Sequence, residues 1–334
     1  MSVDVVDLSS LFYVDTILYI AIGTFAGIVI GALPGLTATM AVSLMVSLTY
    51  GMEARNALAI LIALYLGGIY GGSRSAILLN VPGTPSSAAT ALEGFPLTQR
   101  GEGSKAGIVA TTFSVLGALI GLVFLAGATN IIARFALKFG SWEYFWLAMF
   151  GILISGNIAG AKPYKGFIAG MIGLFFACVG MDPLHGALRY TFGSNNLLAG
   201  INLVPAMIGL FGLTEVFCSI ADPDSHLIQG AEKKETFRDL MNDVKESFVM
   251  VKQHFRLFIV SSVIGTVIGA LPGVGPDIAS WVSYDAAKRT SKEKEKFGHG
   301  SYEGIIGSET ANNAATSGVF IPLLTLGIPG CAVS

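Results

Sequence analysis

The chain has 334 residues, 53% of them hydrophobic and only 13% charged, with a net charge of −2. A soluble domain carries roughly 25% charged residues, and long uncharged runs account for the missing half. Residues 106–128 alone give 23 positions without a charge, against about 20 for a bilayer crossing. A soluble domain is excluded, and the class expected is an all-α polytopic membrane protein. The net charge singles out no partner beyond membrane lipid, and no nucleic acid is expected.

The first apolar run, 11–31, follows ten residues that hold Asp4 and Asp7 and no Lys or Arg. It therefore reads as a spanning segment rather than a signal peptide. It ends in Gly-Ala-Leu-Pro-Gly. Proline lacks the backbone N–H and glycine opens torsions that other residues avoid, so a helix is expected to break around Gly31, Pro34 and Gly35. Apolar segments 36–50 and 57–72 follow. Residues 75–92, SAILLNVPGTPSSAATAL, cannot stay helical throughout. They read as a re-entrant hairpin of two half-helices meeting at Pro82-Gly83, the alternative being an ordinary kink.

Such backbone is tolerated in a membrane only where it is buried in protein or lines a cavity. Half-helix N-termini there offer N–H groups to an anion. Asn80, Pro82, Gly83, Thr84, Ser86 and Ser87 are thus candidate substrate-binding residues. Arg74 joins them, since a guanidinium suits a carboxylate, unless it only anchors the segment's end.

Further apolar segments are expected at 106–128, 142–158, 166–181 and 197–220. Residues 221–256 form the only long polar stretch, with six basic and seven acidic residues. It reads as a solvated connecting helix from 231 onward, or as an element that docks a partner. Segment 257–273 then ends in a second Gly-Ala-Leu-Pro-Gly. The stretches 23–35 and 261–273 repeat at an offset of 238: GTFAGIVIGALPG and SSVIGTVIGALPG agree at eight of thirteen positions. The second break is expected at Gly269, Pro272 and Gly273. A second motif follows each break. Residues 77–87 align with 324–334, an offset of 247, sharing Leu79/Leu326, Pro82/Pro329, Gly83/Gly330 and Ser87/Ser334. Pro329 and Gly330 would form the second tip.

Segment 303–321 holds Glu309, Thr310, Asn312, Asn313, Thr316 and Ser317. A central charge in a membrane costs on the order of 2.5–3.5 kcal/mol, so these groups should face a translocation path or hydrogen-bond between helices. Thr310, Asn312 and Asn313 are taken as substrate-binding candidates. Asp277 and Glu309 could hold a coupling cation among oxygen ligands, although Asp277 could equally cap a helix. Cys178, Cys218 and Cys331 sit singly, as packing residues, and the four histidines show no metal or catalytic spacing. No phosphate loop is present. Tyr284-Asp285 follows, rather than precedes, Gly-Val-Gly-Pro-Asp at 273–277, the reverse of an intramembrane aspartyl protease. No enzyme, metal or cofactor is expected, apart from sodium or proton coupling.

Basic residues mark cytoplasmic loops. With the N-terminus outside and 75–92 re-entrant, fifteen of the twenty Lys and Arg fall inside. Seven crossings then separate the two breaks, which inverts the second relative to the first. Residues 1–220 would be one transmembrane repeat, 221–256 a cytoplasmic connection and 257–334 a second repeat. Inverted repeats with broken helices are a common architecture of secondary transporters.

The motifs GALPGVGPDIASWVSYDAAKRTSK and FGHGSYEGIIGSETANNAATSGVFIPLLTLGIPG, with GALPGLTATMAVSL and YGGSRSAILLNVPGTPSSAAT, closely resemble the TctA family, the large membrane subunit of tripartite tricarboxylate transporters. The resemblance runs from about residue 15 to the end. It implies an inner-membrane carrier that takes up carboxylates, coupled to a cation gradient. It also implies a small four-helix membrane subunit and an extracytoplasmic carboxylate-binding protein as partners; a homo-oligomer stays open. A longer chain is implied too, because the 238 offset carries a first-half end near 220 beyond residue 450. The second repeat would then be cut within its hairpin. A channel or a non-transporting scaffold is the alternative reading.

Overall fold

The computed structural model describes residues 12–33, 38–136, 138, 140–143, 145–146, 149, 163–182, 185–201, 206, 217, 220, 236–271, 274–326, 330–331 and 333. Pro34, Gly35, Pro272, Gly273 and Pro329 lie outside them, as do most of the segments expected at 142–158 and 197–220. The helices in chain order are α1 (Val14–Ala32), α2 (Ala38–Thr49), α3 (Ala54–Leu79), α4 (Ala88–Gln99), α5 (Gly103–Ala136), α6 (Pro163–Ala177), α7 (Phe237–Gln253), α8 (Phe255–Gly269), α9 (Gly275–Thr290), α10 (Tyr302–Gly318) and α11 (Phe320–Leu326). Among the described residues, α1, α3 and residues 103–127 of α5 are long and apolar enough to cross a membrane, and the bent pair α7–α8 passes the same test as a unit. The chain is an all-α, multi-pass membrane protein.

Polarity is arranged inside out. On α1 and α5, large apolar side chains such as Phe25, Leu119 and Val123 are exposed, as lipid-facing surfaces require. α10, which carries Glu309, Asn312 and Asn313, is buried from Gly304 to Gly318, packed by α4, α5, α8 and α9. Burying Ser, Thr, Asn and Glu in the bundle lets neighbouring helices supply the hydrogen bonds that hydrocarbon cannot.

Two expected boundaries move. The segment expected at 166–181 is helical only to Ala177; residues 180–181 instead pair, antiparallel, with 188–189. The first hairpin is also built differently. α3 runs unbroken through Gly71–Ser75 to Leu79, so its inward arm is not a half-helix. Asn80 ends α3 in the left-handed conformation, with φ 55°. The chain then folds back along α3 until the Gly83 N–H donates to the Gly72 carbonyl at 3.3 Å. From there residues 85–99 run forward again as a short 3-10 turn and α4, and the Thr98 hydroxyl donates to the Ile77 carbonyl at 2.7 Å. The result is an extended arm in and a helical arm out, both opening on the side where α3 ends. Proline at 82 and 85 explains the asymmetry, since neither can donate into a helical ladder.

The sequence repeat recurs as repeated contacts. A Cβ on Gly27 would collide with the Leu64 carbonyl and one on Gly31 with the Gly68 carbonyl. In the second half, Gly265 meets the Ala311 carbonyl in the same way and Gly269 the Ala315 carbonyl. The glycines are related by 238 and their partners by 247, the two offsets read from sequence. Likewise Gly83 packs on Gly72, and Gly330 packs on Val319.

Candidate transport site

A cavity of about 240 Å³ opens where the two halves meet. The first turn of α2 contributes Ala38 and Thr39, and the first turn of α9 contributes Pro276 and Asp277. The first hairpin tip supplies Thr84, Pro85 and Ser86, the second Cys331 and Val333, and α3 adds Tyr65 and Ile69. Eight of these residues form four repeat pairs. Ala38/Pro276 and Thr39/Asp277 differ by 238, and Thr84/Cys331 and Ser86/Val333 differ by 247. The cavity therefore sits on the axis that relates the halves. It is smaller than the roughly 300–1,000 Å³ of a drug-sized pocket, and suits a small ion or acid.

The local chemistry explains why the tip holds its shape. The Thr84 N–H donates to Ser87 Oγ at 3.3 Å, and the Ser87 hydroxyl donates to the Thr84 carbonyl at 2.7 Å, a reciprocal cap at the start of the outward arm. Thr84 Oγ1 lies 3.1 Å from Ser86 Oγ. Within this turn the Ser87 and Ala88 N–H groups close back on the Thr84 and Pro85 carbonyls, which leaves the Ser86 N–H to meet the Asp277 carboxylate. Asp277 is surrounded by protein, yet its surface is open because it faces the cavity. Among the described residues the wall carries no Lys or Arg, and Asp277 is its only carboxylate. Tyr65 is buried with its hydroxyl 3.6 Å from Cys331 Sγ.

A second polar cluster lies beside the cavity. Glu309, fully buried on α10, accepts hydrogen bonds from three other helices: Ser73 of α3 at 2.7 Å, Thr90 of α4 at 2.5 Å and Ser114 of α5 at 2.8 Å. Asn312 Nδ2 is 3.5 Å away, and Asn313 donates to the Glu309 carbonyl and to Asn312 Oδ1. Thr310 Oγ1 is buried without a hydrogen-bond partner among the described residues. No cation faces this carboxylate in any described ion pair.

The structure thus brings Thr84, Ser86 and Asp277 to the cavity, with Pro82, Gly83, Ser87 and Gly330 forming the buried tips behind it. Asn312 and Asn313 gather around Glu309 instead, and Thr310 is buried next to it in the chain on α10. Arg74 stands off both groups. Its guanidinium donates to the Gly107 carbonyl at 2.6 Å and to the Thr111 hydroxyl, and lies 4.6 Å over the Tyr70 ring. Asn80 is likewise off the cavity wall, at the end of α3.

Sequence reading missed Glu93. Fully buried on α4, it accepts from Tyr284 Oη at 2.5 Å and from the N–H groups of Gly298, Gly300 and Ser301 at 2.6, 2.9 and 2.7 Å. This ties the hairpin's outward arm to the loop that starts α10. A lone carboxylate in the apolar context TALEGFPL was the available signal.

The family model described as the tripartite tricarboxylate transporter TctA family matches residues 17–334. A protein of Agrobacterium vitis described as an uncharacterized 52.8 kDa protein in the TAR-I ttuC' 3' region is 37% identical over 320 residues. That alignment covers 94% of this chain and 61% of the relative, so the chain spans about three-fifths of that protein's length. A second Agrobacterium vitis protein, described as an uncharacterized protein in the TAR-II ttuC' 3' region, is 55% identical over 65 residues, 20% of this chain and 27% of the relative. No solved structure matches the chain. With the family model covering all but the first sixteen residues, the chain belongs to the TctA family of tripartite tricarboxylate transporters.

Proposed function

We propose that this chain is the large membrane-spanning subunit of a binding-protein-dependent secondary transporter that takes up tricarboxylates or related carboxylates across the inner membrane. The observation that carries the reading is the cavity walled by repeat-equivalent residues. The first turns of α2 and α9 and the residues that follow Gly83 and Gly330 converge there. Oriented N–H groups and the hydroxyls of Thr39, Thr84 and Ser86 can hold a carboxylate without fixed cations. Hydrogen bonds to a charged group are worth about 1.5–3 kcal/mol each, so a few suffice for micromolar binding.

Asp277 makes such an anion dependent on a positive charge. A carboxylate entering beside it meets repulsion unless a sodium ion or proton neutralises the pair, and Glu309 offers a second oxygen-rich seat. Cation coupling follows from that electrostatic need. Family membership supports the small four-helix subunit and the extracytoplasmic binding protein as partners. The repeats, 1–220 and 257–334 joined by 221–256, would be inverted with the N-terminus outside.

Vesicles carrying the full-length subunit, its small partner and the binding protein should accumulate labelled citrate or another carboxylate only with a cation gradient. Preloaded vesicles should show counterflow. Uptake without counterflow would make the protein a channel, and equal uptake by the large subunit alone would remove the tripartite reading.

A further inference from the structure

α7 lies in the stretch expected from sequence to be a solvated connecting helix or a partner-docking element, and its exposed surface carries large apolar side chains. Phe237, Met241 and Phe248 are exposed by 76%, 43% and 55%. At 3.6 residues per turn they fall within about 40° of one another around the helix. Arg238, Lys245 and Lys252 are exposed and fall on the next arc, at about 60–100° from Phe237. The acidic residues Asp239, Asp243 and Glu246 lie farther round, at about 180–240°. The remaining arc, around Ser247, packs against α5. There Ser247 Oγ lies 2.9 Å from Thr112 Oγ1, and Glu246 reaches Lys105 at 2.5 Å. Four sectors thus follow in order: bundle, apolar stripe, basic stripe, acidic stripe.

The joint fixes the orientation. α7 meets α8 at 82°, with His254 Nδ1 3.4 Å from Glu303 Oε1 at the bend. α8 continues into the bundle core, whereas α7, with six charged residues in seventeen, is too charged to enter hydrocarbon. A helix perpendicular to a spanning helix lies in the plane of the bilayer. An apolar stripe bordered by Lys and Arg is the form taken by helices that rest at the headgroup boundary.

We propose that α7 is an interfacial helix bound to an anionic lipid surface. Phe237, Met241 and Phe248 enter the acyl boundary, Arg238, Lys245 and Lys252 meet lipid phosphates, and the acidic stripe faces water. Charge complementarity and continuity with the membrane-embedded α8 select lipid over a protein partner. The proposal is independent of which solute is carried.

Nitroxide labels test it in the full chain, with Cys178, Cys218 and Cys331 changed to Ser. In phosphatidylglycerol vesicles, labels from Met241→Cys and Phe248→Cys should be accessible to oxygen and shielded from a water-soluble nickel complex. A label from Asp239→Cys should show the reverse. Each basic residue near an anionic surface favours docking by about fivefold. The combined Arg238→Gln, Lys245→Gln and Lys252→Gln variant, or the parent in phosphatidylcholine, should therefore shift the labels at 241 and 248 toward water. Nickel-accessible labels at 241 and 248 in phosphatidylglycerol would overturn the proposal. So would equal depth in both lipids, or shielding that arises only when the small subunit is added.

Discussion

Glu93 and Glu309 are both buried carboxylates, but their partners give them opposite tolerances. Glu93 is met by three backbone N–H groups and a phenol spread over both oxygens. Backbone donors cannot reverse, so in Glu93→Gln the amide nitrogen must face at least one N–H in either rotamer. An unmade hydrogen bond costs about 1–3 kcal/mol and more at a charged site, so Glu93→Gln should lower the thermal midpoint or the yield of folded protein. Glu309 is met by three hydroxyls, each able to rotate and accept instead. Glu309→Gln should therefore fold normally in a melting assay while transport loses its response to the cation gradient. Equal destabilisation by both changes would show that Glu309 is another structural clasp. Neither residue's partners could be read from sequence, because they lie some 200 residues away and several are backbone groups. Arg74 shows the same limit: its chemistry suited a carboxylate, but packing aims it at α5.

At the scale of elements, the turn at Pro82-Gly83 and the helix ends at Ala32 and Gly269 were legible because proline and glycine act locally. The inward arm was not, since nothing in Gly71–Ser75 forbids helix and α3 simply continues. Asn80 likewise read as a polar wall residue, whereas the structure uses its tolerance of positive φ to end α3. The repeated glycine contacts give a quantitative expectation. Gly31→Ala and Gly269→Ala force a Cβ against a carbonyl in equivalent places, and overpacking costs about 1–3 kcal/mol. Both should lower the melting temperature measurably, while Gly127→Ala, with open space around it, should not. If Gly269→Ala were neutral and Gly31→Ala severe, the two halves would not be packed alike.

For the whole molecule, composition showed the multi-pass class, and the two sequence offsets recur in the residue pairs that meet in the structure. Membership in the family then rests on the match to residues 17–334. The proposed orientation predicts that cysteines placed at 53–56 are labelled from outside, and those at 291–296 only after permeabilisation. Labelling at 291–296 from outside would remove the inversion. The central claim is that the cavity between the tips holds the transported carboxylate, and Cys331 on its wall reports on this directly. With Cys178 and Cys218 replaced by Ser, a small methanethiosulfonate should modify Cys331 in transport-competent vesicles. A carboxylate that those vesicles take up should slow the reaction in proportion to its occupancy, and a carboxylate they do not take up should leave the rate alone. An unchanged modification rate at saturating substrate, with transport still running, would place the substrate elsewhere and contradict the account.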